Sequence, residues 1–164
     1  MKKICSLLII LLSASYIASA QVVRAELQAA GLTCSMCSRA TDKQLRSLDF
    51  IDSVAIDLSH ATFVLYFKKD KMVDFSQIRK KVEDAGFSVA TLKVTYKFNN
   101  LKVDNGTQFS YNNSQFNWID VTPKTLNGEA TFRIMDKGFL GPKEYKKYAA
   151  KVGSGSNNVY HITL

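Results

Sequence analysis

The chain has 164 residues and a formal net charge of +8 at pH 7, a length that permits one ordinary domain or two small ones. Its lysines are dispersed among acidic and apolar residues, without the arginine-rich run or aromatic-interleaved basic stripe that is typical of nucleic-acid binding, so we predict no nucleic-acid partner. The chain has only three cysteines, which excludes a scaffold held together by several disulfides.

The amino terminus has the pattern of a secretory signal peptide. Lys2 and Lys3 precede an apolar run over residues 7–12, and an A-x-A cleavage pattern ends at Ala20. The apolar run is too short to cross a bilayer, and no later segment approaches about 18 consecutive apolar residues. We therefore predict that residues 1–20 are removed and that the mature chain is periplasmic or secreted, without a membrane span.

Residues 22–97 alternate between strand and helix periodicity. The predicted elements, in chain order, are a strand over 22–29, a helix over 37–49, strands over 54–58 and 63–67, a helix over 75–85 and a strand over 89–98. Asp74 and Ser76 offer caps for the start of the second helix, and Gly86 offers a stop. The order βαββαβ predicts a four-stranded antiparallel sheet with two helices on one face, which is the ferredoxin-like arrangement of the α+β class.

Two cysteines, Cys34 and Cys37, lie where the first strand gives way to the first helix. Thiolates select soft ions, and a lone pair of thiolates on a loop favours low coordination, which tetrahedral zinc does not. A cysteine in the first turn of a helix meets unsatisfied backbone N–H groups, so we expect Cys37 to be the more easily ionised thiol. We predict that Cys34 and Cys37 bind Cu(I). The alternative ions are Hg(II), Zn(II) and Cd(II).

The segment 31–37 reads GLTCSMC, and the segment that ends at Phe87 reads DAGF. Together with the βαββαβ order and a size of about 70 residues, these segments resemble the heavy-metal-associated domain of copper chaperones, copper-pumping ATPases and the periplasmic mercury-binding protein. The resemblance covers residues 22–97. It implies that Cys34 and Cys37 are the metal ligands, that Thr33 buttresses the loop and that Phe87 shields the thiolates.

The residues around the cysteines depart from that family in two places. Leu32 stands where the family most often has methionine, a swap of similar volume that a core position tolerates. Phe87 stands where eukaryotic copper chaperones carry lysine, so this loop offers no charge for steering. We expect Met36 to point to solvent or to a partner rather than to the metal, and we expect Arg39 and Lys43 to add positive potential around the thiolates.

Thiol–disulfide exchange is the main alternative use of Cys34 and Cys37, because exported thiols meet an oxidising environment. Thioredoxin-like enzymes usually place a proline opposite the pair, and the two prolines of this chain lie far downstream. A structural disulfide and unused thiols also stay open. We predict no ligand role for His60 or His161, since neither shows a second histidine or a carboxylate at ligand spacing, and both are interpreted as strand residues.

Residues 99–164 show short alternating runs that asparagine and glycine punctuate. The runs, over 101–103, 109–111, 116–121 and 130–134, predict a meander of short strands, and 159–164 predicts a last strand. A helix opens at Gly141-Pro142 and closes at Gly153. Two interpretations exist for Tyr111, Phe116 and Trp118, a binding face or a small β core, and we favour the core.

The sequence thus predicts a signal peptide at 1–20, a heavy-metal-associated domain at 21–98 and a β-rich domain with one helix at 99–164. No nucleophile–base pair, phosphate loop or paired-carboxylate motif is evident, so we predict no enzyme. The predicted function is to bind Cu(I) and pass it to a metal-transporting membrane protein or to another exported metal-binding protein. The alternative from another class is an interaction or sensor module whose carboxy-terminal region recognises a partner.

Overall fold

The computed structural model describes residues 21–32, 35–153 and 158–164. The helices and strands in these ranges are β1 (Gln21–Ala30), α1 (Ser35–Arg46), β2 (Ile51–Asp57), β3 (Thr62–Phe67), α2 (Phe75–Asp84), β4 (Ser88–Val103), β5 (Gln108–Tyr111), β6 (Ser114–Trp118), β7 (Lys124–Ile134), α3 (Pro142–Val152) and β8 (Val159–Thr163). The predicted signal peptide lies outside the described residues. None of the helices described is long and apolar enough to cross a membrane.

The first four strands form the predicted ferredoxin-like sheet. Their order is β2-β3-β1-β4, and each neighbouring pair is antiparallel. Helices α1 and α2 contact each other, and they also contact β2 and β4 respectively. The prediction of a βαββαβ arrangement followed by a β-rich region with one helix is confirmed.

The local pattern explains why these segments form these elements. In β1, Ala25 and Leu27 are fully buried while Glu26 between them is more exposed, as a strand with one covered face requires. Helix α2 begins at an Asp74 cap, whose carboxylate accepts hydrogen bonds from the backbone N–H groups of Ser76 and Gln77. The buried residues of α2 recur at helical spacing and are Phe75, Ile78 and Val82.

Strand β4 runs through the predicted domain boundary at 98/99. The predicted strands over 89–98 and 101–103 are one strand, with a register shift against β7 between Phe98 and Leu101. Asn100 has a φ of +50° at this shift, so the asparagine pair bends the strand instead of ending it. The boundary therefore lies inside a strand, and the division into two separate domains stays a prediction.

Residues 99–164, which we call the appended half, extend the same sheet. Strand β7 pairs with β4, β8 pairs antiparallel with β7 and parallel with β6, and β5 forms the far edge. The predicted meander is wrong, because β8 from the end of the chain inserts between β7 and β6. The predicted last helix is confirmed, since Gly141 and Gly153 flank α3.

An aromatic core joins the appended half to the first four strands. The ring of Tyr96 in β4 lies 5.8 Å from that of Phe116 and 5.1 Å from that of Phe132. Phe75 of α2 lies 6.1 Å from Phe116. Both Phe116 and Trp118 are fully buried, so these two aromatic residues belong to a β core, as we favoured, and not to a binding face.

Two predictions at the ends of elements are wrong. Helix α1 ends at Arg46 and not near Asp49. The backbone N–H groups of Ser47 and Leu48 each donate to the carbonyl three residues earlier, which is the hydrogen-bond pattern of a tighter turn and not of an α-helix. Leu58, predicted at the end of a strand, lies in the β2–β3 turn and is 62% exposed. The carboxylate of Asp57 accepts a hydrogen bond from the backbone N–H of Ser59 at 2.9 Å, which starts that turn.

Candidate metal centre

The predicted metal-binding loop follows β1. Gly31 has a φ of +86°, a left-handed conformation that glycine adopts without a steric penalty. Leu32 is partly buried and packs on the main core, as predicted for a core position. Thr33 and Cys34 lie outside the described residues, so the buttressing role of Thr33 stays a prediction. Of the two predicted ligands, the structure places Cys37.

Cys37 lies in the first turn of α1 and is partly buried. It takes part in a disulfide, and its partner cysteine lies outside the described residues. The carbonyl of Cys37 accepts a hydrogen bond from the hydroxyl of the fully buried Thr41 at 3.2 Å, which ties this turn to the core. A bis-thiolate metal site at this position requires that the disulfide first be reduced.

The charges on α1 favour an anion at its amino-terminal end. The first turn contains no acidic residue, so no side chain of that turn neutralises the positive end of the helix dipole. Arg39 is exposed near this end, whereas Lys43 lies in the last turn. The expectation that Lys43 adds positive potential around the thiolates is therefore wrong, because Lys43 lies toward the other end of the helix. Met36 is 73% exposed, which confirms that its side chain points to solvent.

Phe87 lies beside the start of the predicted metal-binding loop. A Cβ atom added at Gly31 would lie 3.6 Å from Cδ1 of Phe87, so the aromatic ring is in contact distance of the residue three positions before Cys34. The backbone N–H of Phe87 donates to the carbonyl of Val82 at 3.1 Å, and Gly86 has a φ of +88°. This closure at the end of α2 places Phe87 near Gly31, and the shielding of the thiolates by Phe87 stays a prediction.

His60 lies in the β2–β3 turn, which is hydrogen-bonded to the end of β1. The backbone N–H of Ala29 donates to the carbonyl of Ala61 at 3.3 Å. The Nδ1 of His60 lies 2.7 Å from Oδ2 of Asp57, and this hydrogen bond lowers the pKa of the Asp57 carboxyl. The expectation that His60 is a strand residue without a carboxylate at ligand spacing is wrong. The D-x-x-H spacing in a turn was the signal that sequence reasoning missed.

His161 also pairs with a carboxylate, in the appended half. Asp136 accepts a hydrogen bond from the backbone N–H of His161 at 2.6 Å, and its other oxygen lies 2.9 Å from Nδ1 of the ring. Burial raises the pKa of Asp136, although the hydrogen bonds from His161 oppose the shift. Neither pair gains a third ligand: within residues 21–32, 35–153 and 158–164, no group of three or more His, Cys, Asp or Glu side chains could hold a metal ion.

Part of the chain matches a known protein family. Residues 26–88 match the heavy-metal-associated domain, and this range contains both predicted ligands and Phe87. The chain is 32% identical over 59 residues to a probable copper-exporting P-type ATPase of Archaeoglobus fulgidus, and 33% identical over 73 residues to a probable copper-transporting ATPase of Arabidopsis thaliana. These segments are 36% and 44% of this chain but only 7% of each ATPase, so this chain spans a small part of the length of the relatives it matches.

Two solved structures resemble part of the chain. The CopZ metallochaperone is 25% identical, and the match covers 41% of this chain and 98% of that one with a TM-score of 0.38. The yeast copper transporter domain Ccc2a is 27% identical, and the match covers 41% of this chain and 90% of that one with a TM-score of 0.36. Because both scores are below 0.5, the assignment rests on the family match and the sheet topology. Residues 26–88 of this chain are a heavy-metal-associated domain.

Proposed function

We propose that the protein binds Cu(I) through Cys34 and Cys37 and passes it to another metal-binding protein. The observation that carries the proposal is the heavy-metal-associated domain, which contains both cysteines. Thiolates prefer soft ions, and two of them on a loop leave room at the metal for a third sulfur from a partner. The relatives named as copper ATPases favour Cu(I) over Hg(II), Zn(II) and Cd(II).

The surroundings of Cys37 support a thiolate once the disulfide is reduced. Backbone N–H groups of the first turn of α1 and the exposed Arg39 both favour a negative charge there. We expect Phe87, whose ring lies beside Gly31, to limit access of water from one side. Two thiolates with Cu(I) keep a net negative charge, which this positive end of the helix stabilises.

The test is a competition titration of reduced residues 21–164 with Cu(I) and a coloured Cu(I) chelator. We expect one tightly held Cu(I) per chain in the parent. Cys34→Ser and Cys37→Ser each remove a ligand and should lose the tight binding. Met36→Ala is the matched control, because Met36 lies between the ligands but is exposed, and it should bind as the parent does. Equal affinity in the serine variants and the parent would contradict the proposal.

We further propose that residues 1–20 direct export and that the recipient is a metal-transporting membrane protein or another exported metal-binding protein. The support for export is the order of charged, apolar and small residues before Gln21. Mass spectrometry of the exported protein should give an amino terminus at Gln21. A chain that keeps residues 1–20 and stays in the cytoplasm would contradict this part.

Thiol–disulfide exchange is the second candidate function, and the disulfide at Cys37 is the observation that favours it. It predicts that the reduced protein reduces a model disulfide repeatedly in the presence of a regenerating thiol. The metal-transfer proposal predicts one stoichiometric reaction and no turnover. Multiple turnovers, together with no tight Cu(I) binding, would replace the first proposal by the second.

A further inference from the structure

The appended half contacts helix α2 at its start and in its middle. Near the start of the helix, the ring of Phe75 lies 5.7 Å from that of Tyr160 in β8, edge to face. In the middle, the guanidinium carbon of Arg79 lies 5.8 Å from the centre of the Phe139 ring. An arginine over an aromatic face is a favourable cation–π contact. Helix α2, which belongs to the heavy-metal-associated domain, is therefore covered by residues from outside that domain.

The contact of Arg79 is closely packed. A Cβ atom added at Gly138 would lie 2.7 Å from Cδ of Arg79, so the backbone at Gly138 runs directly against the arginine stem. Nε of Arg79 is buried without a hydrogen-bond partner, and Nη1 lies 3.4 Å from Glu83. An unpartnered buried N–H group costs free energy, and packing of the arginine stem against the segment 138–141 offsets part of that cost.

Helix α2 leads directly to Phe87. Its last residue, Asp84, is three positions before Phe87, and the N–H of Phe87 is bonded back to the helix. On the other side of Phe87, the carbonyl of Ala90 accepts a hydrogen bond from the N–H of Gly141 at 3.2 Å. Phe87 thus lies between two anchors, at Arg79 and at Ala90, and the segment 138–141 forms both.

We propose that Arg79 is a positioning residue that braces α2 against the segment 138–141 and thereby holds Phe87 against the metal-binding loop. This inference rests on the proposed function, because Phe87 matters only if the thiols of Cys34 and Cys37 are used in their reduced form. It gives the appended half a role in the chemistry of a site that it does not itself contain. Loss of the brace lets Phe87 move away from Gly31 and admits solvent and oxidant to the thiols.

Arg79→Ala and Lys80→Ala form a matched pair of variants for the test. Each removes one ion pair to the carboxylate four residues later in α2, to Glu83 and Asp84 respectively, and each leaves alanine, the best helix former. Only Arg79→Ala also removes the contact with the segment 138–141. In reduced residues 21–164 exposed to air, we expect thiols to disappear several-fold faster in Arg79→Ala than in the parent, and at the parent rate in Lys80→Ala. Equal rates in the two variants would overturn the inference.

A double-mutant cycle with Phe87→Ala separates positioning from general loosening. If Arg79 acts through Phe87, Arg79→Ala should add nothing to the oxidation rate of the Phe87→Ala variant. An equal acceleration by Arg79→Ala in both backgrounds would overturn the inference. Thiol oxidation is measured without copper. A failure to bind Cu(I) would therefore contradict the proposed function, but the oxidation rates would still test the role of Arg79.

Gly138→Ala provides a second perturbation that does not depend on the folding of Arg79→Ala. Its methyl group must displace the Arg79 stem, whereas Gly106→Ala, the control, has a similar φ of +83° and open space around the added Cβ. Both variants carry the strain of alanine at positive φ. Only Gly138→Ala should accelerate thiol oxidation. The same rate in Gly106→Ala would contradict the brace.

Discussion

Replacement of Phe116 tests whether the appended half and the heavy-metal-associated domain share one core. Its ring is fully buried in the appended half. It lies 6.1 Å from the ring of Phe75 in α2 and 5.8 Å from that of Tyr96 in β4. It also stacks on Phe109 at 4.9 Å and on Tyr160 at 5.5 Å. Phe116→Ala therefore opens a cavity between the two parts of the chain.

The expected loss is large relative to the stability of a small domain. A buried phenylalanine replaced by alanine costs about 3–5 kcal/mol, since the lost apolar burial and the cavity add, and a domain is stable by only about 5–15 kcal/mol. The assay is urea unfolding followed by two probes. Trp118 fluorescence reports on the appended half, and hydrogen exchange of the β1 and β3 amides reports on the heavy-metal-associated domain. In Phe116→Ala both midpoints should fall together. Tyr66→Ala, at a 43% exposed aromatic, is the control and should lose much less.

Non-coincident unfolding would refute this reasoning. If β1 and β3 amides of Phe116→Ala stay protected at a urea concentration where Trp118 fluorescence has already changed, the halves unfold separately. The predicted boundary at 98/99 would then separate two folding units, although β4 runs through it. If both probes move together, the boundary divides the sequence but not the folding unit.

Two further predictions concern pH. Burial raises the pKa of the Asp74 carboxyl, but hydrogen bonds donated by Ser76 and Gln77 outweigh it and leave the pKa lowered. The ionised cap therefore stabilises the fold above the ordinary aspartate pKa of about 3.9, and this stability is lost as the pH falls through the folded-state value. Asp74→Ala should lower the free energy of unfolding by about 1 kcal/mol at pH 7. In urea unfolding, the difference in stability between this variant and the parent should shrink below about pH 4. A difference that stays the same at every pH would contradict this prediction. Cu(I) binding at Cys34 and Cys37 should weaken as the pH falls, because the metal displaces thiol protons. If chelator competition gives the same Cu(I) affinity at every pH, thiolate ligation is contradicted.

Local signals in the sequence were sufficient for much of the fold. The Asp74 cap, the Gly141-Pro142 start and the Gly153 stop mark α2 and α3 because capping depends on residues only a few positions apart. The place of β8 in the sheet could not be predicted in this way. Its alternating pattern is compatible with any neighbour, and tertiary packing decides that it lies between β7 and β6.

For the candidate site, the spacing of Cys34 and Cys37 and the resemblance to a known family predict where a metal-binding loop lies. The structure places the ring of Phe87 near Gly31, at the start of that loop, and the shielding of the thiolates stays a prediction. The packing of Arg79 against Phe139 was not foreseen. It joins residues that are far apart in the chain, and a single lysine- and arginine-rich helix gives no sign of which basic side chain is packed.

X-ray absorption at the copper edge of reduced residues 21–164, loaded with one Cu(I), shows which atoms bind the metal. We predict a first shell dominated by two sulfur atoms, supplied by Cys34 and Cys37. A first shell dominated by nitrogen or oxygen would contradict it.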